Sequence, residues 1–163
     1  MTYIRYANFF QIFTVFPDGT EEIEAKYNNS TPGQSIQHTW KRENLTYQYL
    51  SFVYQGASKN RTGDNLEAQL LLSVNDLANN EALSAVRNKK HIRMFSALMR
   101  ENFTVERVLT QEVWLASSLS YDNETLEVIL SSAIDAVGAN APTRVLSRDL
   151  VGHLPVTGNI QAL

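Results

Sequence analysis

The strongest pattern in the chain is an alternation of apolar and polar side chains between residues 66 and 74. The apolar positions are Leu66, Ala68, Leu70, Leu72 and Val74. A period of two places successive side chains on opposite faces, which is typical of a strand that buries one face. We therefore predict a β-strand over 66–74.

Two later segments, 108–120 and 125–135, are predicted to form a hairpin. The second segment alternates Leu126, Val128 and Leu130 with polar residues. The first segment fits a helix in part, but the letters YDNE that follow it are a turn signal. A turn flanked by two alternating runs favours two antiparallel strands.

The segment TYQYLSFVY, residues 46–54, carries aromatic and β-branched side chains at both alternating sets of positions. A strand that is covered on both sides has this composition, because neither face meets water. We predict a single central strand here.

A short helix is predicted near 78–88. Asn80 is a suitable N-cap, Glu81 suits the first turn, and the basic residues from Arg87 to Lys90 complement the carbonyl end. The next segment, HIRMFSALMR, fits a helix and a strand equally by period alone.

The remaining segments carry weaker patterns. Residues 1–45 contain an aromatic stretch over 9–16 and a loop near 28–38, where asparagine, proline and glycine supply turn geometries. Residues 139–163 show no sustained period and are predicted to form an excursion or arm. A length of 163 residues fits a single domain over 1–163. The predicted fold class is mainly β (α+β), a β-sandwich or barrel with one short helix.

Composition limits the classes of partner. The net charge of −3 gives no general positive surface for nucleic acid, and without cysteine neither a disulfide framework nor a thiolate metal site is possible. No stretch approaches the ~18 consecutive apolar residues of a membrane span, so no membrane insertion is expected. The first residues lack the basic cluster and cleavage site of a secretory signal.

The sequence offers no readable catalytic, cofactor or metal site. His38, His91 and His153 lie far apart, without the spacing that puts two imidazoles on one helical face. There is no GxSxG motif, and GASKNRTGD lacks the terminal Gly-Lys-Ser/Thr of a phosphate loop. We therefore predict that the protein is not an enzyme and binds no cofactor.

Several clusters have two interpretations each. The acidic run Glu21, Glu22 and Glu24 is expected to be a solvated face rather than a carboxylate pair or calcium site. The basic residues near the predicted helix end, Arg93 included, are expected to complement that end rather than to bind nucleic acid. Asn-x-Ser/Thr matches are attributed to composition and not to glycans; they start at Asn28, Asn29, Asn44, Asn60, Asn102 and Asn123.

An alternative function uses the aromatic residues. In a small ligand- or carbohydrate-binding β-sandwich, Trp40 and Trp114 would line a concave face together with Tyr47 and Tyr49. Tryptophans are nevertheless more common as core or interface anchors.

The order of features between residues 47 and 146 resembles the amino-terminal domain of the minor tail protein L family of long-tailed bacteriophages. A YQ-containing strand leads to GASKNRTGDNLEAQLLLSVNDL, a loop and strand ending in Val-Asn-Asp-Leu. A short helix, the strand KKHIRMFSAL, the pair TQEVWLASSLSYDNETLEVILSSAID and the step APTRVL follow.

The resemblance implies a tail-tube-like domain that assembles as a homo-oligomeric ring, a trimer being favoured. It further implies a place in the virion at the distal end of the tail, after assembly in the host cytoplasm. The ring would join the distal tube protein to the hub or fibre protein. The iron–sulfur segment of longer members is not carried over, because this chain has no cysteine. A mildly acidic inner wall would let DNA pass without binding.

Overall fold

A computed structural model describes residues 5–56 and 67–132 of the chain. Within these residues lie nine strands and one helix. They are β1 Arg5–Val15, β2 Glu21–Asn28, β3 Ile36–Trp40, β4 Glu43–Tyr49, β5 Phe52–Gln55, β6 Glu67–Ser73, α1 Asp76–Arg87, β7 His91–Met99, β8 Val105–Tyr121 and β9 Thr125–Ser131. The predicted mainly β class with one short helix is confirmed.

The strands form one sheet in the order β3-β4-β2-β1-β7-β8-β9-β6-β5. All neighbouring pairs are antiparallel except β2 and β4, which run parallel over two residues. Consecutive strands linked by short turns, such as β1–β2 and β8–β9, account for part of this order. The remaining pairs bring distant segments together.

The step from β4 to β5 closes the sheet. Leu50 donates its backbone N–H to the carbonyl of Asn28, the last residue of β2, at 2.9 Å. The next residue, Ser51, accepts from the backbone N–H of Ser73 on β6, at 3.1 Å. The chain therefore crosses between the two ends of the sheet within two residues, and the sheet curls into a barrel.

Strand β8 forms a second corner of the barrel. Its residues from Val105 to Leu115 pair with β7, and those from Leu115 to Tyr121 pair with β9. A register shift between Ala116 and Ser118 accompanies the change of partner, as expected where a bulge bends a strand. We call β2, β1, β7 and the first part of β8 the first half-sheet, and the second part of β8 with β9, β6 and β5 the second.

Between the half-sheets lies the interior cluster, which is apolar and closed by one face of α1. Each fully buried large side chain stabilises the fold by roughly 1.5–3 kcal/mol. Its members include Phe10, Ile12, Leu70, Ile92, Met94, Trp114, Leu126 and Leu130, with Ala78, Ala82 and Ala85 from the helix. Small alanine side chains let the helix lie close to the sheet.

The predicted strand over 66–74 and the predicted hairpin are confirmed as β6 and as β8 with β9. The predicted single strand over 46–54 is wrong, because the chain breaks into β4 and β5 at the barrel corner. Residues 1–45, where no strand was predicted, contain β1, β2 and β3. The loop predicted near 28–38 is confined to the residues between Asn28 and Ile36. HIRMFSALMR is strand β7.

Some predictions lie outside the described residues. These concern the arm over 139–163, most of the loop GASKNRTGD, Asn60, His153, the step APTRVL and the end of the second hairpin strand. No helix among the described residues is long and apolar enough to cross a membrane.

The helix begins earlier than predicted, because its N-cap is Asn75 and not Asn80. The side chain of Asn75 accepts a hydrogen bond from the backbone N–H of Ala78 at 2.7 Å, and Asp76 lies in the first turn. Arg87 lies in the last turn, as predicted. Asn80 lies within the helix, on its exposed side.

We expect Asn75→Ala to lower the free energy of unfolding by about 1 kcal/mol, because an unsatisfied helix N–H replaces the cap. Asn80→Ala is the matched control and should be neutral or slightly stabilising, since alanine is the better helix former. Urea denaturation of both variants tests this. Equal effects of the two substitutions would contradict the assignment of the cap.

Candidate functional site

The outer side of the first half-sheet is covered by the β3–β4 hairpin, residues 36–49, which we call the flap. β1 and β7 present Phe9 and Phe95 to it, and the flap contributes Ile36 and Tyr47. Phe9 stacks on Phe95 with ring centroids 4.8 Å apart, and Tyr47 meets both rings edge-on. These residues form an outer cluster that is separate from the interior cluster.

Arg93 lies buried under the end of the flap, with 4% of its surface exposed. Its guanidinium carbon is 4.2 Å from the centroid of the Phe13 ring and 4.7 Å from that of the Trp40 ring. Cation–π contacts of this kind strengthen when the charge is shielded from water. The two rings therefore enclose the cation and tie β1, β7 and β3 together.

Polar side chains accept hydrogen bonds from two of the three guanidinium nitrogens of Arg93. Its Nη1 donates to Gln11 Oε1 at 2.8 Å, and its Nη2 lies 3.0 Å from both carboxylate oxygens of Glu21. Gln11 in turn donates from Nε2 to the Tyr47 hydroxyl at 2.5 Å. A buried cation needs such a partner, because an unpaired charge in the interior is strongly destabilising.

Glu21 also binds the flap directly. Lys41, in the β3–β4 turn, donates from Nζ to Glu21 Oε2 at 2.7 Å. The hydrogen bond from Lys41 and the neighbouring Arg93 guanidinium lower the pKa of Glu21 below its ordinary value of 4.5. One carboxylate thus links β2, β7 and the turn of the flap.

Two histidines adjoin this layer. His38 of β3 faces the rings of Tyr47 and Phe95, and burial lowers its pKa. His91 stacks on Phe13 with centroids 5.4 Å apart, and burial together with Arg93 lowers its pKa. At both imidazoles the surroundings therefore disfavour the charged form.

The outer side of the second half-sheet is different, because no other described element covers it. Interior residues alternate along its strands, so the residues between them face outward; these include Gln55, Gln69, Glu127, Ser118 and Ser120. We call this surface the acidic face. The segments that build it, 51–56, 67–75 and 115–132, contain Glu67, Asp122, Glu124 and Glu127 but no lysine or arginine.

The charged clusters identified in the sequence form ion pairs in the structure. Glu21 pairs with Arg93 and Lys41, and Glu24 pairs with Lys90. Glu22 is exposed. The interpretation of Arg93 as a helix-end charge is wrong, because this residue is buried in β7 and binds Glu21.

The aromatic residues of the alternative binding face do not form one surface: Trp40 and Tyr47 pack on Phe95 under the flap, apart from Trp114. Trp114 is buried in the interior cluster, where its Nε1 donates to the Tyr54 hydroxyl at 2.9 Å. Tyr54 donates to Glu112, and burial raises its pKa. Tyr47 is fully buried in the outer cluster, on the other side of the first half-sheet.

The buried position of Arg93 and its contacts were not predicted from the sequence. Its only local signal is a single arginine between apolar residues in HIRMF, and an exposed position in a strand would give the same pattern. Its partners Gln11, Glu21 and Trp40 come from three distant segments. The pairing of β1 with β7 brings Gln11 to Arg93, the pairing of β1 with β2 brings Glu21, and the flap brings Trp40; none of these pairings was predicted.

In the described part of the chain, no three histidine, cysteine, aspartate or glutamate residues are grouped to hold a metal ion. A small polar cleft of about 150 Å³ opens where β2 and β4 diverge, and Tyr27, Thr46 and Glu81 line it. The Tyr27 hydroxyl donates to Glu81 at 3.2 Å across this cleft.

Comparison with protein-family models and with curated proteins found no match to this chain.

Glu21→Gln is expected to lower the free energy of unfolding by about 2 kcal/mol, because it weakens the hydrogen bonds to the buried guanidinium. Glu22→Gln is the matched control on the same strand and should stay within about 0.5 kcal/mol of the wild type. Denaturant unfolding at neutral pH measures both. If the two variants were equally stable, Glu21 would not be the counter-charge that the geometry indicates.

Proposed function

We propose that this protein is a structural subunit of a bacteriophage tail tip or baseplate. In this proposal, copies of the chain form a ring that joins the distal tail tube to the central hub or fibre. DNA passes through the ring without specific binding. The protein is part of the virion and has no enzymatic role.

The observation that carries the proposal is the acidic face. A conduit for a polyanion needs a wall that does not bind phosphate, and lysine and arginine supply most phosphate contacts in proteins. The outer face of the second half-sheet supplies carboxylates, serines and glutamines instead, with the apolar side chains Val53, Leu71 and Ile129 between them. The cations Lys41, Arg42 and Arg93 belong to the flap and the first half-sheet, on the other side of the barrel.

The form of the barrel also suits a ring subunit. Two strand corners and two apolar clusters give a stiff body. Among the described strands, β3 pairs only with β4, and β5 pairs only with β6. Free strand edges are available for contacts with neighbouring subunits. The resemblance to the tail protein L family supports the same assignment.

Native mass spectrometry over a range of concentrations, with light scattering as a check, tests self-association. We expect a closed oligomer, with a trimer favoured, and a central channel when that oligomer is imaged. A strict monomer at high concentration would count against the ring and would favour a binding module.

Lysine substitutions on the acidic face test its role as the channel wall. The oligomer of Gln69→Lys/Glu127→Lys should retain short duplex DNA at low salt, because the new cations converge in the channel. The logarithm of the DNA affinity should fall linearly with the logarithm of the salt concentration. The slope should be roughly −0.9 for each phosphate that is neutralised. Wild-type protein should not retain the DNA.

The matched control places the same cations on the outside of the flap, as Gln37→Lys/Thr39→Lys, where both side chains are exposed. This variant should bind DNA much more weakly, because its lysines do not converge. If both variants bound DNA equally, the acidic face would not be the channel wall.

A further inference from the structure

We propose that the flap is an acid-sensitive element, which separates from β1 and β7 on acidification while the barrel stays folded. The proposal is independent of the tail function. It rests on the connections of the flap, on the charges beneath it and on the two clusters of the core.

The flap can separate because its backbone hydrogen bonds are largely internal. β3 and β4 pair with each other along five positions, from Ile36↔Tyr47 to Trp40↔Glu43. Among the described strands, β4 pairs with the rest of the sheet only through Gln48 and Tyr49, opposite the end of β2. Opening the flap therefore leaves the other ladders intact, as expected of a locally unfolding unit.

The apolar contacts beneath the flap hold it closed at neutral pH. Phe9 and Phe95 remain on the barrel, and Ile36 and Tyr47 leave with the flap. The interior cluster includes no residue from β3 or β4. Separation thus exposes the outer cluster and leaves the interior cluster covered.

A fall in pH makes the charge beneath the flap more positive. Glu21 is the carboxylate that binds Arg93, and within the described residues no other carboxylate contacts this guanidinium. Protonation of Glu21 leaves a buried cation without its counter-charge and also releases Lys41. Protonation of His38 or His91 adds a further positive charge beside it.

The surrounding elements add no compensating group among the described residues. β1 presents Gln11 and Phe13 to this region, and β8 presents Val113 and Leu115 next to β7. β4 contributes the Tyr47 hydroxyl, which stays neutral because burial raises its pKa. The titratable and charged groups are Glu21, His38, Lys41, His91, Arg93 and, at the exposed end of the flap, Arg42 and Glu43.

The sign of the pH dependence follows from these groups. The histidine pKa values are lowered in the closed state, so closure loses stability once the pH falls below their ordinary value of 6.5. The pKa of Glu21 is also lowered, so its contribution is lost as the pH falls below the ordinary value of 4.5. All three groups therefore favour opening between neutral and acid pH.

The two tryptophans of the chain report the two parts separately. Trp40 lies in the flap over Arg93, and Trp114 lies in the interior cluster. In wild-type protein labelled with 5-fluorotryptophan, the Trp40 fluorine signal should move to the solvent-exposed position as the pH falls below 6.5. The Trp114 signal and the far-UV circular dichroism should change only at lower pH.

Two variants identify the groups responsible. His38→Phe/His91→Phe, which cannot gain charge, should shift the Trp40 transition to lower pH. Glu21→Gln should expose Trp40 at higher pH than the wild type, and Glu22→Gln should leave the transition unchanged. The proposal is overturned if Trp40 and Trp114 change together in the wild type, a result that needs no variant to fold. It is equally overturned if the histidine variant folds and its Trp40 transition does not move.

Discussion

The constraint on which this structure depends is the burial of β1 and β7 on both of their faces. One face of each strand contributes to the interior cluster, through Phe10 and Met94 for example. The other face contributes Phe9 and Phe95 to the outer cluster. A sheet face that carries such rings must be covered, and the flap covers it. The step at Leu50, which brings the chain from the flap into β5, also closes the barrel.

The same constraint explains where the charges lie. A cation under the flap is tolerated because Phe13 and Trp40 enclose it and Glu21 binds it. The outer face of the second half-sheet carries Val53, Leu71 and Ile129 among polar residues, and its described residues hold no buried charge that would need such pairing. Within the described segments 51–56, 67–75 and 115–132, its serine, glutamine and glutamate residues form a surface with no lysine or arginine. The two sides of one barrel thus carry opposite kinds of surface.

The sequence predicted two strands that bury one face, β6 and β9. β6 and β9 alternate strictly enough for a period of two to appear, and the turn between β8 and β9 is rich in polar residues. β1 and β7 bury both faces, so their apolar runs carry no period. The turn of the flap was not predicted, for a different reason. Lys41 and Arg42 adopt left-handed backbone conformations, at φ 45° and 74°, in a position that usually carries Asn-Gly.

The candidate site was less predictable than the fold, because its geometry comes from pairings between distant segments. Arg93 meets Gln11 across the β1–β7 ladder and meets Glu21 from β2, whereas Trp40 reaches it only because β3 folds back over β7. The sequence around each of these residues shows whether its side chain is charged, polar or aromatic. It does not show which distant residue that side chain contacts. The acidic face is the converse case. The sequence shows three separate segments without lysine or arginine. These segments form one surface only because β5, β6, β9 and the end of β8 lie side by side. Because the barrel interior separates that face from the flap, a change in one surface need not disturb the other.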